Sequence, residues 1–182
     1  MRLGIDLDGV VADFATGWVK RYNGEFDSDL SPEQIDHWDA MGELTHFESM
    51  GEFWKWASRS ERGSIFRHLD TYPGAVETLR RLSRNHEIVI ITAKPDWAVH
   101  DTFAWMADHA IPTREIHVTE GKWRVPCDVY LDDSQRQIAE LHRNRPEAVV
   151  CRFVRPWNEP VFGVRDILDW DEFEALVDAR WC

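Results

Sequence analysis

Hydrophobic positions along this chain follow two different rhythms. Leu3-Gly4-Ile5 is a short apolar run that passes straight into Asp6-Leu7-Asp8-Gly9, which predicts a buried strand closed by a tight turn at the glycine. From residue 15 to 72 the spacing is helical. Trp18, Val19 and Tyr22 share one helical face, with Asn23-Gly24 as its stop. Ser31-Pro32-Glu33-Gln34 reads as an N-cap with proline at the first helical position, opening a helix through Ile35 and Trp38. Phe53, Trp54, Trp56 and Ala57 form an aromatic segment, followed by Ile65, Phe66 and Leu69. No β run interrupts this stretch, and three or four short helices are expected there.

After Tyr72-Pro73-Gly74-Ala75 strands and helices alternate. Val76, Leu79, Arg80 and Leu82 suit a helix ending near Asn85. Ile88 to Ile91 is a continuous β-branched run, the pattern of a parallel strand covered on both faces. It ends at Thr92-Ala93-Lys94-Pro95. Asp96 is placed to cap a helix with Val99, Phe103, Met106 and Ala107 inward, ending before Pro112. Glu115 to Thr119, Val129 to Leu131 and Ala148 to Cys151 are further strands. Ser134 opens a helix with Ile138 and Leu141 inward, residues 155–160 form a loop, and Trp170, Phe173, Leu176 and Val177 complete a last helix.

This order predicts an α/β fold: a Rossmann-like parallel sheet with helices on both faces, formed by residues 1–14 and 73–182, plus a helical insertion over 15–72. Such sheets bind ligands outside the carboxyl ends of their strands. The polar residues at those ends are Asp6 and Asp8, Thr92 with Lys94, Lys122 just beyond the next strand, and Asp132 with Asp133.

Composition narrows the partners. The chain of 182 residues is 43% hydrophobic and 30% charged, ordinary for a globular protein. A formal net charge of −12 argues against binding a nucleic-acid polymer, which needs a basic face, yet allows one small phosphate ester held by a metal and a few cations. Cys127, Cys151 and Cys182 are odd in number and widely spaced, which points to reduced thiols and a cytoplasmic setting. No signal-peptide or membrane-spanning stretch is visible. The eight histidines show no metal-ligand spacing and are assigned no role, and the ten tryptophans fit either core filling or an aromatic pocket.

Asp6 and Asp8 lie on one face of an extended segment, so both aim at the same space. Two buried carboxylates there require a cation. Asp6 suits a nucleophile attacking phosphorus, and Asp8 a general acid and base. Mg²⁺ takes oxygen ligands, and Asp6, one of Asp132 and Asp133, and the Asp8 backbone carbonyl suit it. Thr92 and neighbouring amides suit phosphate oxygens, and Lys122 suits charge neutralisation. Singly each residue has a plainer reading: Thr92 as a strand end, Lys122 as a surface lysine, Asp132-Asp133-Ser134 as a helix cap. Their shared edge is what favours chemistry. A non-catalytic Mg²⁺- or phosphate-binding module is the alternative from another class, and a retained acid/base at Asp8 counts against it. A dinucleotide-binding domain lacks its G-x-G-x-x-G fingerprint.

In this order the residues resemble the haloacid-dehalogenase superfamily of phosphohydrolases over nearly the whole chain: Asp6-Leu7-Asp8-Gly9-Val10 resembles its first motif, Thr92 its second, Lys122 its third and Asp132-Asp133 its fourth. The second aspartate, Asp8, separates phosphatases from the dehalogenases, and the insertion sits where the superfamily places a helical cap. Residues 6–14 with Tyr72-Pro73-Gly74-Ala75 further resemble the 5′(3′)-deoxyribonucleotidases, which remove phosphate from nucleoside monophosphates with Mg²⁺. The resemblance implies Phe14, and Phe66 or a cap tryptophan, at the nucleobase, and Asp133 rather than Asp132 as the direct metal ligand. Those enzymes usually carry serine after the threonine of the second motif; Ala93 removes that hydroxyl and Lys94 adds a cation, so both positions bear on phosphate contacts and substrate choice. A phosphatase acting on a sugar phosphate or another small metabolite is the alternative enzymatic reading.

Overall fold

A computed structural model describes residues 1–59 and 63–181. Cys182, read above as one of three reduced thiols, lies outside the described residues. The strands are β1 (Arg2–Ile5), β2 (Glu87–Thr92), β3 (Glu115–Val118), β4 (Val129–Asp132), β5 (Val149–Phe153) and β6 (Arg165–Ile167). The helices are α1 (Phe14–Phe26), α2 (Ala40–Leu44), α3 (Met50–Ala57), α4 (Ala75–Leu82), α5 (Asp96–Asp108), α6 (Gln135–Asn144) and α7 (Trp170–Trp181). Short 3₁₀ turns occupy Pro32–Gln34, Ile65–Arg67 and Lys122–Arg124. No helix among the described residues is long and apolar enough to cross a membrane.

All strand pairs are parallel, and the sheet runs β3-β2-β1-β4-β5-β6. The expected α/β architecture is present. Ile5 is level with Ile90 on one side and Leu131 on the other, so the chain leaves β1, β2 and β4 at nearly the same height. That register lines up the polar residues at the three strand ends. Alternation then splits the apolar side chains between two layers. Leu3, Ile5, Ile88, Ile90, Val129 and Leu131 join the larger core that continues into the helical insertion, while Val89, Ile91, Tyr130 and Val150 pack under α6 with Ile138 and Leu141.

Four local expectations give way to packing. α1 runs past Asn23-Gly24 to Phe26 and ends with Asp27 in the left-handed conformation, because the Asn23 amide is spent on the Leu30 backbone at 2.7 and 3.1 Å. The helix expected from Ser31 is one 3₁₀ turn, closed by the Gln34 side chain accepting from the Ser31 N–H at 2.8 Å. α5 turns a different face inward: Ala98, Thr102, Trp105 and Met106 are buried, whereas Phe103 and Ala107 are exposed. The reason is Trp105, whose indole donates to the Leu69 carbonyl at 2.7 Å and so gains a buried partner for its polar atom. Asp96 lies in the first turn of α5 with Pro95 at the cap, so its charge meets the helix dipole without capping. β6, only three residues with one buried, has too little alternation to announce itself in the sequence.

Candidate active site

The turn after β1 is built by its backbone. The Leu7 carbonyl accepts from Val11 and Ala12 at 2.8 Å each, and Gly9 adopts φ +73°. A Cβ at Gly9 would also stand 2.1 Å from Asp133 Oδ2, so only glycine lets β1 and β4 bring their ends this close. Asp13 then caps α1 by accepting from the Thr16 N–H at 3.1 Å, which fixes the start of the helix that carries Phe14.

Asp6, Asp132 and Asp133 are buried and offer carboxylate oxygens that all lie within 4.8 Å of one another. Lys122, itself buried, sits between two of them, 2.8 Å from Asp6 Oδ2 and 2.7 Å from Asp132 Oδ2. Asp132 also accepts from the Ser134 N–H at 2.9 Å, so its two oxygens are occupied by a lysine and a helix start. Asp133 instead accepts from the Trp157 indole at 2.8 Å. Three buried oxygens at this edge have no hydrogen-bond partner among the described residues: Asp6 Oδ1, Asp8 Oδ1 and Thr92 Oγ1. Oxygen-only donors, clustered, anionic and partly unsatisfied, fit a hard divalent cation and a phosphate group.

Asp8 stands outside that cluster and pairs with Lys94, whose ammonium also lies 3.7 Å from the centre of the Phe66 ring. Phe66 is thus engaged by a cation, and Phe14 stacks on it with centroids 5.4 Å apart at 17°. Trp54 joins the stack at 6.4 Å from Phe66 and 15°. These rings, with Trp38, Met41, Met50 and Ala93, wall a cleft of about 720 Å³ whose floor includes Asp6, Asp8, Lys122 and Asp133.

Charge and burial oppose one another throughout. Burial pushes the Asp8 carboxyl up and the Lys94 ammonium down, outweighing their mutual attraction. Lys122 faces two carboxylates and is held above the usual lysine range despite its burial. Asp133 is pushed well up by burial and by the negative charges of Asp6 and Asp132, a repulsion that a bound cation would reverse. Cys127, one of the expected reduced thiols, is a free thiol just before β4, and burial raises it to about 11.

Asp6, Asp8, Thr92, Ala93, Lys94, Lys122, Asp132 and Asp133 therefore gather at one sheet edge, with Phe14 and Phe66 directly above. The residues that sequence reasoning passed over are Trp157, Arg155 and Asn158, in a stretch read only as a loop. Their signal was available, since they follow β5 at the same edge as the other strand ends.

Four likenesses bear on this geometry. Residues 1–181 match the family described as 5′ nucleotidase, deoxy (pyrimidine), cytosolic type C. A 5′(3′)-deoxyribonucleotidase of Clostridium acetobutylicum is 27% identical, with 97% of this chain and 94% of that protein covered. Among solved structures, a haloacid dehalogenase-like family hydrolase of Streptococcus pneumoniae superposes with a TM-score of 0.67 at 11% identity, covering 97% of each chain. A Bacillus subtilis protein solved with magnesium bound gives a TM-score of 0.64 at 14% identity, covering 97% of this chain and 98% of that one.

Proposed function

The chain belongs to the deoxy (pyrimidine) cytosolic type C 5′ nucleotidases, and from that membership we propose a Mg²⁺-dependent phosphomonoesterase acting on (deoxy)nucleoside monophosphates in the cytoplasm. That it is a hydrolase of the phosphatase kind follows from the family. The substrate, the metal and the role of each residue are this proposal's own. The observation that carries it is the buried Asp6–Asp132–Asp133 cluster at the foot of an aromatic cleft, with Asp6 Oδ1 unpartnered among the described residues.

In this reading Asp6 attacks phosphorus while Asp8 gives its proton to the departing ester oxygen, releasing the nucleoside and leaving an aspartyl phosphate. Water then attacks the same phosphorus, Asp8 takes the water's proton, and inorganic phosphate leaves with Asp6 regenerated. Lys122 stabilises the charge that builds on Asp6 and on the phosphoryl oxygens, and Thr92 donates its free hydroxyl to one of them. Asp6 and Asp133 would hold Mg²⁺, with the Asp8 backbone carbonyl as a further ligand and Asp132 in support. When bound, the ion would supply charge neutralisation on the phosphate. Phe14, Phe66 and Lys94 shape the nucleoside side of the cleft, Ala93 leaves room where a serine hydroxyl would bind phosphate, and residues 15–72 act as the cap over a core of 1–14 and 73–182.

The test is phosphate release across nucleoside monophosphates and sugar phosphates with Mg²⁺, and again after EDTA. Preference for nucleoside monophosphates in kcat/KM and loss of turnover with chelator are expected. Equal or better turnover of sugar phosphates would transfer the assignment to another metabolite, and full activity in EDTA would remove the metal from it.

A further inference from the structure

We propose that Trp157 is a positioning residue for the cation site, acting through Asp133. The inference rests on the reading of Asp6, Asp132 and Asp133 as metal-binding carboxylates. Asp133 lies within 4.8 Å of two like charges, and an unrestrained carboxylate there would rotate away from them. The Trp157 indole N–H donates to Asp133 Oδ2 at 2.8 Å and holds that rotamer. The Gly9 backbone stands close to that oxygen, where a Cβ would meet it at 2.1 Å. A neutral donor suits this task, since a lysine or arginine in its place would compete with the incoming cation for the carboxylate charge.

The indole can act this way because its loop is anchored more firmly than a surface turn. The Asn158 amide, buried, donates to the Asp133 carbonyl at 2.7 Å and to the Phe153 carbonyl at 2.9 Å. Asn158 accepts in turn from Arg152 Nη1 at its backbone and side-chain oxygens, at 2.9 and 3.0 Å. Arg152 is buried and forked onto Asp166 at 2.8 and 2.7 Å, which ties the loop to β6. Arg155 donates to the Gly9 carbonyl at 2.7 Å, with its guanidinium 4.0 Å from the centres of both the Tyr72 and Phe153 rings. The loop therefore joins the turn after β1 to the ends of β4 and β5, the parts that must stay in register for Asp6 and Asp133 to share one ion. Partners of metal ligands typically set affinity by about 10- to 100-fold.

Calorimetric titration of Mg²⁺ into the substrate-free chain tests this, with wild type, Trp157→Phe and Asp133→Asn compared and the melting temperature of each metal-free protein recorded. Trp157→Phe should weaken Mg²⁺ binding about tenfold or more, with kcat recovering at saturating Mg²⁺. Binding within twofold of wild type, whatever the melting temperature, overturns the proposal and reduces Trp157 to packing. Where Trp157→Phe fails to fold, wild type carrying ¹⁵N-indole tryptophan decides: an indole N–H resonance should move on Mg²⁺ addition, and no response from any indole overturns the proposal. If Asp133→Asn binds Mg²⁺ as wild type does, the cation-site reading fails and takes this one with it. Loss in Asp133→Asn with none in Trp157→Phe defeats the Trp157 proposal alone.

Discussion

The carboxyl edge of the sheet and the aromatic segment above it use their side chains in opposite ways. At the edge partners are few: one lysine, Lys122, serves both Asp6 and Asp132, and one indole serves Asp133. In the helical segment contacts are redundant. Phe53 alone meets Trp54 at 5.1 Å, Trp56 at 5.4 Å, Trp18 at 5.8 Å and Phe47 at 6.1 Å. Ring packing is broad and weakly directional, so several neighbours share each ring's burial. Charge pairs in a buried site are directional and few, so each atom there is decisive. Removing one group from the edge should cost orders of magnitude in rate, and removing one ring from the cleft should cost a small factor in binding.

The largest effect is expected at Asp6. Asp6→Asn keeps the shape and removes the attacking oxygen, so kcat should fall by about 10⁴-fold or more while the circular dichroism spectrum stays unchanged. Turnover within tenfold of wild type would break the contrast by making the edge as forgiving as the roof. Lys94 belongs to both regions, paired with Asp8 below and laid over Phe66 above. Lys94→Met keeps the stem and removes the charge, and kcat/KM for a nucleoside monophosphate should drop roughly tenfold, as for the loss of one charge-assisted contact. A larger loss places Lys94 with the edge, and no loss places it with the roof.

The same difference decided what the sequence could say. The edge was readable because register carries it: apolar β runs ending in Asp6, Thr92 and Asp132 fix where those residues stand once the sheet is parallel, and the observed pairing of Ile5 with Ile90 and Leu131 obeys that rule. The short 3₁₀ turn that carries Lys122 needed no detail beyond its place after β3. The segment over 15–72 has no such ruler. Its helices are short, their stops depend on side chains such as Asn23 bonding elsewhere, and which ring faces inward is settled by packing rather than by spacing. α5 shows the limit within the core itself, where Trp105 took the buried face expected of Phe103 because its indole could reach Leu69. Trp157 escaped notice for a third reason: its role lies in a contact from a loop, and loops carry no periodicity to read.

The smallest expected effect concerns the ring left open. Phe14, Phe66 and Trp54 are stacked on one another, and Lys94 lies over Phe66, so these rings are committed before any substrate arrives. Trp38 lines the same cleft, remains 56% exposed, and presents a ring with room for a base. Stacking of a base on an aromatic ring is worth about 1–3 kcal/mol. With one face offered and the rest of the ring solvated, the low end applies, so Trp38→Ala should raise KM for a nucleoside monophosphate about fivefold at unchanged kcat. Turnover of p-nitrophenyl phosphate, which carries no nucleobase, supplies the control and should not move beyond twofold. If both substrates lose equally, Trp38 supports the wall and does not meet the base. If neither changes, base recognition falls back on Phe14 and Phe66, and their stack must open when the substrate enters.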